Sequence, residues 1–365
     1  MKTVYIHIPF CQNICSYCDF CKIYYNSNLV NSYLDALKKE VDKYYRNEQI
    51  ETLYIGGGTP SSLSIDELKK LFKIIKKVNL TKDNEFTFEC NIESIDKEKL
   101  KFLYENGVNR LSIGVETFNN KHLLFLERKH TKKEVYEKIK LAKEIGFDNI
   151  NIDLIYGLPN QTLKELKEDL NYFLKLNIPH LSAYSLIIEP HTKLYIKKNK
   201  NIDEELDYKM YQLIKETLEE NNYIQYEISN YCKKGYKSKH NLTYWNNLKY
   251  YGFGLGASGY IDNIRYDNTR SIDRYLDGYY RLNEEKITDQ IKLENELILG
   301  FRKIKGINKK EFYNKYKRNI NDLKIIQKLI KERKLIDDGL NIYINPKYIY
   351  LSNDILINFI GDKYE

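Results

Sequence analysis

Over the first 190 residues, short apolar runs alternate with longer segments whose apolar residues recur at helical spacing. Residues 3–8 (TVYIHI) predict a strand, and residues 28–45 predict an amphipathic helix. A strand that ends in glycines (51–58) and a helix that opens with a serine cap and acidic residues (64–78) follow. The same order predicts further strands and helices at 85–91, 96–106, 108–116, 131–145, 149–157, 162–176, 180–187, 204–221 and 224–229. Strands that alternate with helices of this length form parallel βαβ units.

We therefore predict an α/β protein with a partial or complete TIM-type (β/α) barrel, since no dinucleotide-binding fingerprint follows the first strand. The pattern then changes: residues 239–260 are rich in glycine and aromatic residues and predict loops near a site. Residues 292–365 predict two or three short helices and a hairpin, which together form a winged-helix-like module. The predicted domains are a barrel over 1–265 and a small, mainly helical C-terminal domain over 280–365.

The composition is that of an ordinary globular protein, with 42% hydrophobic and 30% charged residues. No apolar run reaches the roughly 18–20 residues of a membrane-spanning helix. The N-terminal segment MKTVYIHIPF lacks the apolar core and cleavage site of a signal peptide. We therefore expect a cytoplasmic protein with no transmembrane segment. Because thiols are kept reduced there, clustered cysteines are expected to bind a metal rather than to form disulfides.

The net charge of +8 raises the alternative of a nucleic-acid partner. The excess of basic residues is spread along the chain and is densest over 292–334, in the predicted C-terminal module. A nucleic-acid-binding module needs a recognition helix with base-reading side chains. The lysines at 302–318 are too dispersed to indicate one, so we expect no nucleic-acid partner.

Four of the six cysteines lie in one short stretch after the first predicted strand: Cys11, Cys15, Cys18 and Cys21. A structural zinc site usually takes two separated pairs of ligands, whereas here a single stretch holds all the cysteines and only His7 lies near. Closely spaced thiolates are typical of iron–sulfur clusters. Three of them could hold three irons of a four-iron cluster and leave one iron open, as a catalytic or substrate-binding site requires. The loop over 9–21 also follows a barrel strand, where active sites are built.

The spacing C-x-x-x-C-x-x-C, with an aromatic residue before the third cysteine, resembles the radical S-adenosylmethionine (SAM) superfamily. The flanking sequence YIHIPFCQNICSYCDF narrows the resemblance to the coproporphyrinogen dehydrogenase-like branch. Four further motifs carry the same likeness: GGGTPSSL (56–63), GVETF (114–118), DLIYGLP (153–159) and HNLTYW (240–245). The resemblance runs from residue 5 to about 260 and extends to that branch's C-terminal domain.

Two kinds of protein share this branch. Porphyrinogen-oxidising members carry a further cysteine two positions after the third, where this chain has Phe20. The segments CDF and HNLTYW are instead similar to the HemW haem chaperones, which bind haem and pass it to acceptor haemoproteins. An oxygen-independent coproporphyrinogen III dehydrogenase is the alternative. Cys21 departs from the pattern, and we interpret it as a spare thiol beside the cluster.

The resemblance implies three cofactors: a [4Fe–4S] cluster, SAM and haem. In the superfamily the open iron chelates SAM, and an electron from the cluster cleaves the sulfonium to a 5′-deoxyadenosyl radical. The resemblance also allows an electron donor such as a flavodoxin or a ferredoxin, a homodimer, and a cytoplasmic location that is peripheral to the membrane.

The resemblance further assigns the [4Fe–4S] cluster to Cys11, Cys15 and Cys18. Glycines at a strand end allow close backbone approach to a ligand. Glu116 stands where relatives usually have glutamine, which removes an amide donor. His240 is the candidate haem ligand, with a structural role as the alternative. The implied SAM contacts are Tyr5, Gly57, Gly58, Thr59, Glu89, Glu116, Arg128 and Asp153.

Overall fold

The structure is a computed structural model that describes residues 2–361. The strands are, in chain order, β1 (Thr3–Ile8), β2 (Phe10–Cys11), β3 (Ile23–Tyr24), β4 (Ile50–Gly57), β5 (Leu80–Asn91), β6 (Arg110–Glu116), β7 (Asn149–Tyr156), β8 (His180–Ser185), β9 (Ile224–Gln225), β10 (Asn230–Cys232), β11 (Tyr250–Phe253), β12 (Ser258–Ile261), β13 (Ile264–Asn268), β14 (Arg281–Lys286), β15 (Ile307–Asn308), β16 (Leu335–Asp337) and β17 (Asn341–Ile344). The helices are α1 (Ser27–Tyr44), α2 (Ile65–Ile75), α3 (Lys97–Glu105), α4 (Asn120–Phe125), α5 (Lys132–Ile145), α6 (Leu163–Leu176), α7 (Lys193–Ile196), α8 (Glu204–Glu220), α9 (Lys239–Trp245), α10 (Ile272–Leu276), α11 (Asp289–Gly300), α12 (Lys309–Tyr316), α13 (Lys324–Lys331) and α14 (Ser352–Leu356).

Local sequence signals place the barrel helices. Helices α2, α5 and α6 each begin at a capping box, in which a Ser or Thr hydroxyl and a Glu three residues later satisfy each other's backbone amides. The predicted serine cap of the second helix is Ser64. Helix α5 ends at Gly146, whose φ of +123° favours glycine. These caps explain why the predicted helices lie close to the observed ones.

The main sheet has the order β14-β13-β12-β11-β1-β4-β5-β6-β7-β8-β10-β9. Strands β1 and β4 to β8 run parallel, as predicted, and β11 joins them in parallel beside β1. Antiparallel strands extend both edges. Within the described residues the outermost strands, β14 and β9, do not pair with each other. Of the two predicted forms, partial and complete, the barrel is therefore the partial one.

Side chains alternate along the parallel strands between the helices and the barrel interior. On β6, Leu111, Ile113 and Val115 belong to the main hydrophobic core, whereas Arg110 and Ser112 line an interior cavity. Strands β7 and β8 repeat this alternation. Parallel strands buried on both faces are usually apolar on both. A polar inner face therefore marks a barrel whose interior is built to receive a ligand.

Two segments differ from the sequence prediction. Residues 239–260, predicted as loops, form α9, β11 and most of β12. The predicted strand 224–229 is reduced to β9, which pairs with β10. Strand β11 pairs in parallel with β1 and in antiparallel with β12, whereas β9 pairs in antiparallel with β10. The pairing of β11 with β1 joins segments about 250 residues apart, and it leaves no periodic signal in the sequence.

The C-terminal module consists of four helices, α11 to α14, and the three-stranded sheet β15-β17-β16, whereas the sequence predicts two or three helices and a hairpin. The main sheet continues past residue 265, through β13 and β14, to Lys286. The module contacts the barrel where Lys303 Nζ donates to Asn246 Oδ1 (2.5 Å). No helix within residues 2–361 has both the length and the apolar content needed to cross a membrane.

Candidate functional site

The cysteine loop is anchored at the carboxyl end of β1 by backbone hydrogen bonds. Strands β2 and β3 pair in parallel on either side of it. The Ile23 amide donates to the Pro9 carbonyl (2.7 Å), and the Tyr25 amide donates to the Cys11 carbonyl (2.9 Å). The loop is therefore closed at its base, so its cysteines are held over the mouth of the barrel.

Three of the loop's thiols influence one another. Burial raises the pKa of Cys11, and the nearby Cys15 raises it further. Burial likewise raises the pKa of Cys18 to about 11, with smaller contributions from Cys15 and Cys11. Thr59 Oγ1 donates to Cys11 Sγ (3.5 Å), and Arg128 Nη1 lies 3.6 Å from Cys15 Sγ. Hydroxyl and guanidinium donors of this kind stabilise sulfur that carries negative charge.

The fourth thiol, Cys21, lies in different surroundings. A Cβ atom at Gly256 would lie 3.0 Å from Cys21 Sγ, so this thiol packs against the glycine turn after β11. Burial raises its pKa, and the charges that oppose this shift are Arg270 and Lys22. Cys21 therefore lies outside the set formed by Cys11, Cys15 and Cys18.

The donor set fits an iron–sulfur cluster. All six cysteines are free, and four of them lie in one loop. Within residues 2–361 no three His, Cys, Asp or Glu side chains converge on a single metal-ion position. A four-iron cluster takes one thiolate per iron, so its ligands need not converge on one point. The residues that would hold it are Cys11, Cys15 and Cys18.

The glycine-rich turn after β4 packs directly beneath the cysteine loop. The Gly58 amide donates to the Ile8 carbonyl (2.8 Å), and the Thr59 amide donates to the Phe10 carbonyl (2.9 Å). A Cβ atom at Gly58 would lie 2.9 Å from Cys11 Sγ, and Gly57 has a φ of +119°. Glycine is thus required at both positions, by close approach and by backbone conformation.

His7 supports the loop from inside the barrel. Burial lowers its pKa to about 4, so the ring is neutral near pH 7. Its Nε2 lies 2.7 Å from the Cys21 carbonyl, which can only accept, and therefore Nε2 carries the proton. The Tyr5 hydroxyl then donates to Nδ1 (2.9 Å). Tyr5, predicted to contact SAM, lies directly below the loop.

A cavity of about 400 Å³ occupies the barrel below the cysteine loop. Its rim includes Tyr17, Cys18 and Phe20 from the loop and the segment after β8. The Phe20 side chain is 64% exposed. The polar residues lining its interior are Tyr54, Glu89, Arg110, Ser112, Glu116, Asn151, Asp153, Ser182 and Asn241.

Two predicted acids, Glu89 and Asp153, face this cavity. Glu89 accepts hydrogen bonds from the Tyr54 hydroxyl (2.7 Å) and the Gly57 amide (2.9 Å), and burial raises its pKa to about 7. Asp153 accepts from Asn151 Nδ2 (2.9 Å), and burial raises its pKa as well. A cationic ligand in the cavity would lower both pKa values by stabilising the carboxylates.

Glu116 and Arg128 lie together beside the cluster loop. Glu116 ends β6 with a φ of +67°, and burial raises its pKa to about 7, although the Arg128 charge opposes the shift. Tyr17 donates a hydrogen bond to Glu116. Arg128 Nη2 donates to the Gly114 carbonyl (2.5 Å) and lies 3.8 Å from Glu93. Arg128 is therefore the fixed cation next to Cys15.

Arg110 was not among the site residues predicted from the sequence. This residue begins β6, lines the cavity and is 2% exposed. The signal was present in RLSIGVE, where polar and apolar residues alternate along a strand that is buried on both faces. Without the tertiary structure, however, this arginine could equally mark a strand end in contact with solvent.

His240 lies below the cavity rather than in its wall. The residue is 2% exposed, and burial lowers its pKa to about 3. Nδ1 forms a hydrogen bond with Thr52 Oγ1 (3.0 Å) and Nε2 with the Tyr244 hydroxyl (2.9 Å). Because both ring nitrogens are engaged, the structure favours a structural role over haem ligation. Its neighbour Asn241 lines the cavity instead.

A half-open barrel of parallel strands with a three-cysteine loop at its mouth defines the radical SAM class of proteins. The family described as the Radical SAM superfamily matches residues 5–173. Membership in this superfamily implies a [4Fe–4S] cluster and SAM as cofactors. Coproporphyrinogen III oxidase HemN from Escherichia coli, a radical SAM enzyme, superposes with a TM-score of 0.87, covering 98% of this chain and 89% of that one. At 22% identity this likeness shows the fold alone.

Three relatives are more similar in sequence than HemN, and each matches this chain over most or all of its length. The chain is 40% identical to the heme chaperone HemW of Lactococcus lactis subsp. lactis (strain IL1403), over 99% of this chain and 98% of the relative. It is 41% identical to HemW of Bacillus subtilis (strain 168), over 99% and 100%, and 33% identical to HemW of Escherichia coli (strain K12), over 85% of each chain. The chain belongs to the HemW family.

Proposed function

We propose that this protein is a haem chaperone that binds haem and passes it to acceptor haemoproteins. The observation that carries the proposal is its likeness to relatives named heme chaperone HemW over nearly the whole of both chains. The geometry supports it at Phe20, which occupies the position of the additional cysteine of porphyrinogen-oxidising proteins. This exposed ring offers an apolar surface at the mouth of the cavity.

Haem is expected to pack across that mouth. A porphyrin has a large apolar face, and Phe20, Tyr184 and Ile187 are exposed side chains on the rim of the cavity. Aromatic and aliphatic side chains of this kind pack favourably on a flat ring. Exposed apolar groups gathered at one opening also mark a binding surface rather than scattered surface residues. A site at the mouth would leave haem accessible for transfer to an acceptor.

The cluster would lie under the cysteine loop, and SAM would extend from it into the upper part of the cavity, which Glu116 and Asp153 line. When bound, the cluster supplies an open iron for SAM and an electron for its reductive cleavage. This chain's residues position the ligand: Gly57, Gly58 and Thr59 allow close backbone approach. The acids Glu89, Glu116 and Asp153 suit the sulfonium, the amino group and the ribose hydroxyls, and Arg128 suits the carboxylate.

This part of the proposal is tested by measuring SAM affinity with Arg128→Ala. Loss of a charge-assisted hydrogen bond is expected to weaken binding by about 1.5–3 kcal/mol. Lys129→Ala, which changes the exposed neighbouring side chain, serves as the control. Equal affinity of Arg128→Ala and the wild type would contradict the assignment.

We further predict an electron donor such as a flavodoxin or a ferredoxin, a cytoplasmic location peripheral to the membrane, and a homodimer. The exposed aromatic rings of Phe20 and Tyr24 beside the cluster loop offer a docking surface for a redox partner or an acceptor.

The decisive experiment for the function uses anaerobically reconstituted protein incubated separately with haem and with coproporphyrinogen III. We expect haem binding close to one per chain, transfer to an apo-haemoprotein, and no oxidation of coproporphyrinogen III. Phe20→Ser should weaken haem binding while the iron content stays at the wild-type level. Turnover of coproporphyrinogen III, or no haem binding by the wild type, would refute the proposal.

A further inference from the structure

Arg110 is a buried cation on the floor of the barrel cavity. Its Nε has no hydrogen-bond partner among the residues that the structure describes. Two acids of the cavity, Glu89 and Asp153, interact with its charge through space. Their own hydrogen bonds come from other groups, namely Tyr54, Gly57, Asn151 and Ser182. The guanidinium of Arg110, which is 2% exposed, therefore has one buried N–H donor without a partner.

An isolated buried charge is costly because it has lost its hydration shell without gaining a partner. Such a group is expected where a ligand supplies the missing counter-charge. The planar guanidinium presents several N–H donors in a fixed fork that matches the two oxygens of a carboxylate. Arg110 thus has the chemistry of an anion anchor, and its place on the cavity wall gives an entering ligand access to it.

The surroundings of Arg110 select a singly charged anion. Glu89 and Asp153 share the cavity, so a doubly charged phosphate would meet more repulsion than a carboxylate. The small polar side chains nearby are already bonded to one another: Asn151 Nδ2 donates to Ser112 Oγ (2.9 Å), and Ser182 Oγ donates to Asn151 Oδ1 (3.2 Å). None of these side chains carries a positive charge that could neutralise a second negative charge on the ligand. A carboxylate is therefore the best-matched ligand group.

We propose that Arg110 binds a carboxylate of the molecule that enters the barrel cavity, and that this group is a propionate of haem. The choice of haem rests on the proposed function. SAM also carries a carboxylate, but Arg128 lies next to Cys15, at the cluster loop where SAM is expected, whereas Arg110 lies deeper on the cavity floor. The edge of the ring that carries the propionates would then enter the barrel, while the opposite edge stays against the rim.

The test compares haem with haem dimethyl ester, in which both propionates are neutral. Reconstituted full-length wild type should bind haem at least ten-fold more tightly than the ester. In Arg110→Met the preference should disappear, and in Arg110→Lys, which keeps the charge but loses the fork, it should be intermediate. Arg302→Met, a change outside the cavity, is the matched control and should keep the wild-type preference.

A second arm compares SAM with decarboxylated SAM in the same variants. If Arg110→Met alters only the haem pair, the propionate assignment stands. If it alters only the SAM pair, Arg110 binds the SAM carboxylate and the propionate assignment is wrong. If it alters neither pair, the carboxylate site itself is refuted. If the wild type binds no haem, the proposed function fails while the SAM arm still decides whether Arg110 binds a carboxylate.

Unfolding of the ligand-free variants separates a binding role from a structural one. Removal of an unpaired buried charge should leave the melting temperature of Arg110→Met equal to or above that of the wild type. A purely structural arginine would lower it and would leave the haem-to-ester ratio unchanged. Should Arg110→Met fail to fold, the ratio measured with Arg110→Lys decides, and a wild-type ratio in that variant overturns the proposal.

Discussion

At the scale of single residues, four cysteines lie within eleven positions, but their thiols face two different surroundings. Cys11, Cys15 and Cys18 act on one another, whereas Cys21 packs against Gly256. We therefore expect Cys11→Ala, Cys15→Ala and Cys18→Ala each to lose the cluster. Cys21→Ala should keep about four irons per chain, as one cubane requires.

The measurement is the iron and sulfide content after anaerobic reconstitution. Cys232→Ala, a buried cysteine far from the loop in sequence, controls for the loss of any thiol. If Cys21→Ala lost iron as completely as Cys15→Ala, the three-ligand assignment would be wrong. Stoichiometric zinc in place of iron would refute the cluster itself.

Glu116 makes the stability of the ligand-free protein depend on pH. Burial raises the pKa of this carboxyl to about 7 in the folded state, whereas the unfolded chain releases the proton near pH 4.3. The folded state thus binds more protons between these values, so the free energy of unfolding falls as pH rises from about 4.3 to 7. Glu116→Gln should remove this loss, on the order of 3–4 kcal/mol at pH 8.

Urea unfolding of wild type and Glu116→Gln at pH 4.5 and pH 8 measures the effect. The two proteins should be close in stability at the lower pH, and the variant should be the more stable at the higher pH. Glu98→Gln, at an exposed position, should not change the pH dependence. A variant with the wild-type slope would show that Glu116 is not the group responsible.

At the scale of elements, α9 is held in place by side chains from two barrel strands. The Glu85 carboxylate accepts from the Lys239 and His240 amides, both at 2.9 Å, which stabilises the N-terminus of the helix. His240 then bonds to Thr52 on β4. The HNLTYW motif therefore places α9 across the base of the barrel.

From this arrangement we expect His240→Ala to destabilise the fold without removing a haem ligand. The change removes the partner of the Tyr244 hydroxyl and one of the two partners of Thr52, which also bonds to Thr3 (2.8 Å). We expect a cost of about 1–3 kcal/mol in the free energy of unfolding. Haem absorption bands and iron content should match the wild type. His191→Asn, at an exposed histidine, is the control, and a shifted haem spectrum in His240→Ala would restore His240 as a ligand.

At the scale of the whole molecule, the C-terminal module is tied to the rim of the cavity. The Tyr350 hydroxyl donates to Asp207 Oδ2 (2.8 Å), and Ser185 Oγ donates to Asp207 Oδ1 (2.5 Å). Ser185 also lines the cavity. A ligand at the rim and the docking of the module are therefore connected through one carboxylate.

Tyr350→Phe should loosen this docking, because a hydrogen bond to a charged group contributes about 1.5–3 kcal/mol. Amide hydrogen exchange should speed up in β16 and β17 and stay unchanged in β1. Tyr313→Phe, at an exposed tyrosine of the same module, is the matched control. Equal exchange in the two variants would mean that the Tyr350–Asp207 contact does not hold the module.

The sequence by itself determined the features whose physics is local. The cysteine spacing, the capping boxes and the strand–helix alternation each lie within a few turns of chain, so they predicted the cluster loop and the parallel barrel. Tertiary structure alone decided the rest. Arg110 became a cavity cation only once seven parallel strands had curved around it, and His240 received its partner from Thr52, 188 residues away. Contacts of that range depend on how distant elements pack, and no periodicity along the chain encodes them.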